Sequence, residues 1–82
     1  MAIVYMRISE CEHTGDLQPA LDLVGKKVFG RILDYGINLE AEIGWIKIET
    51  EESVNDIASL IIANEDLYGF AHCTTHKPDF AR

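Results

Sequence analysis

The chain has 82 residues, enough for one small hydrophobic core and no second one. Hydrophobic residues make up 48% and charged residues 26%, a globular balance that excludes a disordered chain. There are 14 acids and 7 bases, for a formal charge of −7, which argues against coating duplex nucleic acid, a role that neutralises phosphates with Lys and Arg.

Ala2 to Ser9 is short and rich in β-branched and aromatic residues, the pattern of a strand. Glu10 to Asp16 is polar and turn-rich, so a loop is expected, with Thr14 or Asp16 as helix N-cap and Pro19 in the first turn. Leu17, Ala20, Leu21 and Val24 recur at i, i+3, i+4 and i+7, which predicts a helix with one apolar stripe. Gly25 followed by Lys26 and Lys27 reads as a left-handed C-cap with cations at the helix's negative end, so the helix is expected to stop there. The rival arrangement continues the stripe through Val28, Ile32 and Tyr35, at roughly 1 kcal/mol for each glycine enclosed. Lys27 to Tyr35 then forms a second strand, Gly36-Ile37-Asn38 a turn, and Leu39 to Thr50 a third strand. Ser53-Val54-Asn55-Asp56 matches a capping box, opening a helix striped by Val54, Ile57, Ala58 and Ile61. Tyr68 to Thr75 closes the set as a fourth strand, so residues 1–76 are expected to form one α+β domain and 77–82 a tail.

The order βαββαβ resembles the ferredoxin-like architecture, which implies a four-stranded antiparallel sheet with two helices on one face. Only element order carries this resemblance, and fold alone does not supply a function. Strand alternation places Val4, Met6, Ile8, Val28, Ile32, Ile46, Ile48, Ala71 and Cys73 beneath the helices. The opposite face then receives Tyr5, Arg7, Phe29, Arg31, Leu33, Trp45, Lys47, Phe70 and His72. Four aromatics on an open face call for a cover, because monomers rarely expose a large contiguous apolar patch. A stacked second copy, a different protein anchored on Trp45 and Tyr5, or single-stranded nucleic acid could supply it. Overall acidity disfavours nucleic acid. On this arrangement Trp45→Ala is expected to weaken association and leave the fold intact.

Cys11-Glu12-His13 and His72-Cys73-Thr74-Thr75-His76 hold five thiol and imidazole groups, enough by composition for a tetrahedral zinc site. Their spacing is that of no zinc finger or ribbon, and the antiparallel arrangement sets Cys73 beside the middle of the first strand, away from Cys11. No metal or cofactor is therefore expected. Cys73 lacks a histidine on its own face to serve as base, and the glycines form no phosphate-cradling loop, so no catalytic residue is assigned. No apolar run approaches the ~20 residues of a membrane span. The opening Met1 to Arg7 lacks the basic lead of a secretory signal, and two cysteines do not staple a secreted scaffold. A cytoplasmic location is the expectation.

From Asp34 to Asp66 acids outnumber bases nine to one. Glu51, Glu52 and Asp56 suit a helix N-terminus, whereas Glu40, Glu42 and Glu49 do not need one. Together these six carboxylates form a candidate surface for a basic partner. The expected function is that of a small acidic, non-enzymatic binding or regulatory protein, of the kind that occludes a nucleic-acid channel as a phage-type inhibitor does. The alternative is a homodimer whose stacked sheets enclose a small-molecule or catalytic pocket lined by Tyr5, Trp45, Phe70 and His72.

Overall fold

A computed structural model describes residues 2–79; Met1 and, from the expected tail, residues 80–82 lie outside the described residues. Strand β1 spans Ala2–Ile8, a 3-10 turn covers Thr14–Leu17, and helix α1 spans Gln18–Lys27. Strands β2 (Gly30–Asn38) and β3 (Ile43–Thr50), helix α2 (Val54–Ile62) and strand β4 (Ala71–Thr74) follow. The strands form one sheet in the order β2-β3-β1-β4, and every neighbouring pair is antiparallel.

The core follows from alternation. Val4, Met6 and Ile8 of β1 and Ile46 and Ile48 of β3 meet Leu17, Ala20, Leu23 and Val24 from the first helical segment and Ile57 and Ile61 from α2 in one cluster. Val28, Ala71 and the half-buried Ile32 and Cys73 complete it, so all nine residues expected beneath the helices are there. Met6, Ile46, Ile48 and Ile57 are fully buried, each stabilising the fold by roughly 1.5–3 kcal/mol relative to exposure.

The ends of the elements depart from expectation for local reasons. Helix α1 runs through Gly25 to Lys27 instead of stopping at Gly25. Gly25 faces open space, and the helix ends where Val28 turns extended and drops into the core. Neither Thr14 nor Asp16 caps α1 in the forward sense. Asp16 reaches back, its carboxylate accepting from the backbone N–H of Glu12 (2.8 Å) and His13 (3.2 Å). Pro19 does sit in the first turn of α1, where its missing N–H costs nothing. The α2 capping box is present: Ser53 Oγ accepts from the Asp56 N–H (3.1 Å) and Asp56 accepts from the Ser53 N–H (3.2 Å).

Strand β2 begins and ends three residues later than expected, so Gly36-Ile37-Asn38 is strand and not turn. A bulge between Ile32 and Asp34 shifts its register. Tyr35 and Ile37 therefore pair with Ile46 and Gly44, and Ile37 packs on the core. The reversal comes at residues 39–42, where Asn38 Oδ1 accepts from the Ala41 N–H (3.0 Å) and Glu42 adopts a left-handed φ of 55°. Strand β3 thus starts at Ile43, and Glu40 and Glu42 are loop residues and not neighbours on a strand face. Strand β4 has only four residues, leaving Tyr68 and Phe70 in the preceding turn.

Gly44 marks the tightest approach of the sheet to what covers it. A Cβ there would collide with Leu17 Cδ2 and come within 2.9 Å of Cys11 Sγ, both on fully buried residues. Gly44→Ala is expected to cost about 1–3 kcal/mol by overpacking. Urea unfolding checks it: the midpoint should fall with an unchanged slope.

Candidate functional site

The open sheet face is closed by its own side chains. Trp45 is 3% exposed and Tyr5 6%, and they cluster with half-buried Ile3. The indole lies across Gly36, where an added Cβ would come within 3.0 Å of Trp45 Cζ2. Around this pair stand charges of both signs. Arg31 Nε donates to Glu49 Oε1 at 2.9 Å, Lys47 is opposite both Tyr5 and Asp34, and Arg7 is opposite Trp45 and His72.

Two of the four aromatics expected to stand open are therefore buried within one chain, and the other two are not on this face. Phe29, 86% exposed, precedes β2, and its N–H donates to Glu52 (2.7 Å). Phe70 lines a cleft at the end of the sheet beside Pro19 and Leu67. Tyr5, Trp45, Phe70 and His72 consequently do not line a common pocket. Because Trp45 is core, Trp45→Ala should destabilise the fold by about 3–5 kcal/mol, contrary to the expectation of an intact fold. Thermal unfolding followed by circular dichroism would show it.

The carboxylates are divided as well. Glu49 is spent on Arg31, Glu52 on the Phe29 N–H and Asp56 on the Ser53 cap, all with Glu51 at the far end of β3. Glu40 and Glu42 lie at the opposite end, roughly 24 Å from Glu49 at ~3.4 Å per strand residue. The six do not form one surface.

A different acidic surface assembles at the end where Glu40 and Glu42 stand. The β1–α1 loop is bonded to the β2–β3 loop by the Cys11 N–H on the Glu42 carbonyl (2.7 Å). It is bonded to the α2–β4 connection by the Ser9 N–H on the Phe70 carbonyl (2.8 Å). These three connections bring together Glu10, Glu12, Asp16, Glu40, Glu42, Glu65 and Asp66, and no Lys or Arg occurs in any of them. Half of the chain's acids thus occupy one pole. A cleft of about 310 Å³ opens there among Glu10, Asp16, Asp66, Pro19 and Phe70. Glu10 (φ 59°) and Glu42 (φ 55°) are the two non-glycine residues with left-handed backbone among those described. That conformation costs a glutamate of order 1–2 kcal/mol.

Asp16 holds the pole's first loop, and the N–H groups of Glu12 and then His13 keep its carboxyl below the ordinary carboxylate range. The charged form is favoured by folding, so the stabilisation is present above the unfolded-state pKa and is lost as pH falls through the folded value. Asp16→Asn should be less stable than wild type near neutral pH, and the two should converge in acid. Denaturant melts across the acid limb would decide it.

Both cysteines are free thiols. Burial raises Cys11, which lies against Leu17 and Gly44, and burial pushes Cys73, opposite Met6, up to about 11. Among the described residues no group of three or more His, Cys, Asp or Glu side chains is arranged to hold a metal ion. No helix among them is long and apolar enough to cross a membrane. No family model, curated protein or solved structure matches the chain.

Proposed function

We propose that this chain is a small non-enzymatic binding protein of ferredoxin-like topology whose acidic pole engages a basic surface on a protein partner. The strand order β2-β3-β1-β4, antiparallel throughout, supports the ferredoxin-like assignment. The observation that carries the function is the pole itself. Three connections distant in sequence converge with seven carboxylates and no amine or guanidinium, and two of the glutamates keep a costly backbone conformation. Strain of that kind concentrates where a surface is shaped for use.

A basic groove that holds a nucleic-acid backbone is the partner this charge suits best, and a compact acidic protein seated in it would regulate by occlusion. Thiols held protonated by burial favour binding over covalent catalysis. A cytoplasmic site of action and the absence of a cofactor belong to the same proposal.

The experiment is capture of the partner from the native host, identification by mass spectrometry, and binding kinetics at two salt concentrations. Association should slow as salt rises, since exposed charges steer encounter and are screened over ~8–10 Å at physiological ionic strength. Reversal of Glu10, Glu42 and Asp66 to Lys should slow association about tenfold or more, with a smaller change in dissociation. Glu51→Lys, at the other end of the sheet, should change it far less. Salt-independent association, untouched by the triple reversal, would overturn the assignment.

A further inference from the structure

Three short stretches, 8–10, 16–19 and 66–70, each set a carboxylate within a few residues of an apolar side chain. The fold brings all three to one cleft of about 310 Å³, the first and last joined by the Ser9 N–H on the Phe70 carbonyl (2.8 Å).

The cleft is amphipathic. Ile8 and Leu67 line it as buried core residues, and half-buried Pro19 and the 41% exposed Phe70 add two ring surfaces. Glu10, Asp16 and Asp66 add carboxylates, and no Lys, Arg or His lines it. Asp16 is engaged with its own loop: Oδ2 accepts from the N–H groups of Glu12 and His13, and Oδ1 lies 3.8 Å from His13 Nε2. Among the described residues the Glu10 and Asp66 carboxylates accept no hydrogen bond and pair with no cation. Lys26 and Lys27 line a separate cleft that shares only Pro19 and Asp66 with this one.

This lining discriminates among cations. A metal ion needs converging oxygen ligands and gains nothing from an apolar wall, and no group of three or more metal-binding side chains converges among the described residues. A lysine ammonium is a compact, strongly hydrated point charge that must shed water to enter. A guanidinium is planar and weakly hydrated, stacks on aromatic rings, and spreads five N–H donors toward carboxylates on different sides. Its methylene stem covers apolar surface while the charged head stays among acids.

We propose that this cleft receives one arginine side chain of the basic partner, with the guanidinium against the Phe70 ring and among the Glu10 and Asp66 carboxylates. The stem then lies along Leu67 and Pro19. This rests on the pole being the partner-binding surface, and it makes arginine, not positive charge at large, the group that the pole selects.

The test uses two blocked residues, N-acetyl-arginine amide and N-acetyl-lysine amide, titrated at low salt into the isotope-labelled full chain and followed by NMR. Arginine should move the Leu67 methyl and Phe70 ring signals and saturate in the millimolar range, the scale of one detached side chain. Lysine, of the same charge, should bind at least fivefold more weakly. Phe70→Leu keeps apolar bulk and removes the ring, and should weaken arginine about two- to fivefold, the cation–π share at an exposed site. Glu10→Gln, a substitution of equal shape on an exposed side chain, should weaken arginine by a similar factor and serves if Phe70→Leu disturbs the fold. Glu51→Gln, at the other end of the sheet, should change neither probe. Arginine shifts that fail to saturate, that spread evenly over the pole, or that lysine matches overturn the proposal. Binding indifferent to both Phe70→Leu and Glu10→Gln overturns it equally. Those outcomes leave the salt-dependent association of pole and partner standing, whereas a partner indifferent to the triple reversal removes the pole reading without altering the arginine titration.

Discussion

Trp45 is buried on the sheet face that no helix covers, and Gly36 makes that burial achievable. A side chain on the strand opposite would lift the ring into solvent. With only hydrogen on Gly36, the indole lies flat across β2 and shields backbone that glycine leaves bare. The contact also explains the course of the chain. Gly36 must stay in strand geometry opposite Trp45, so β2 continues to Asn38 and the hairpin reverses only at 39–42. The bulge at Leu33 makes the contact compatible with the core, because it changes which side chains point each way and gives Ile37 to the helical side.

The surface chemistry depends on that displaced hairpin. With the reversal at 39–42, Glu40 and Glu42 leave the sheet and join the β1–α1 and α2–β4 connections at one end. Main-chain bonds from Cys11 and Ser9 lock the three together. Like charges gathered this way repel, and the backbone of Glu10 and Glu42 adds local strain. The core offsets both, with Met6, Leu17, Ile46 and Leu67 fully buried directly behind the pole and in the sheet it caps.

Much of the interior was legible in the sequence because side-chain alternation leaves few choices once a strand is recognised. The nine residues expected under the helices needed only strand positions right to within a residue or two, and the Ser53–Asp56 box was read from four consecutive residues. What could not be read depended on contacts across the sheet. Gly36 looks like a turn residue until Trp45 is known to lie on it, and Gly25 looks like a C-cap until Val28 is seen to set the exit. The aromatics that alternation places in one patch are dispersed because Phe29 and Phe70 fall just outside their strands. The acidic pole escaped for a different reason. Its carboxylates lie in three segments more than twenty residues apart, and counting charge along the chain favours the local run from Asp34 to Asp66. The signal that could have revealed it was topological: in this order of elements the β1–α1, β2–β3 and α2–β4 connections leave the sheet at the same end.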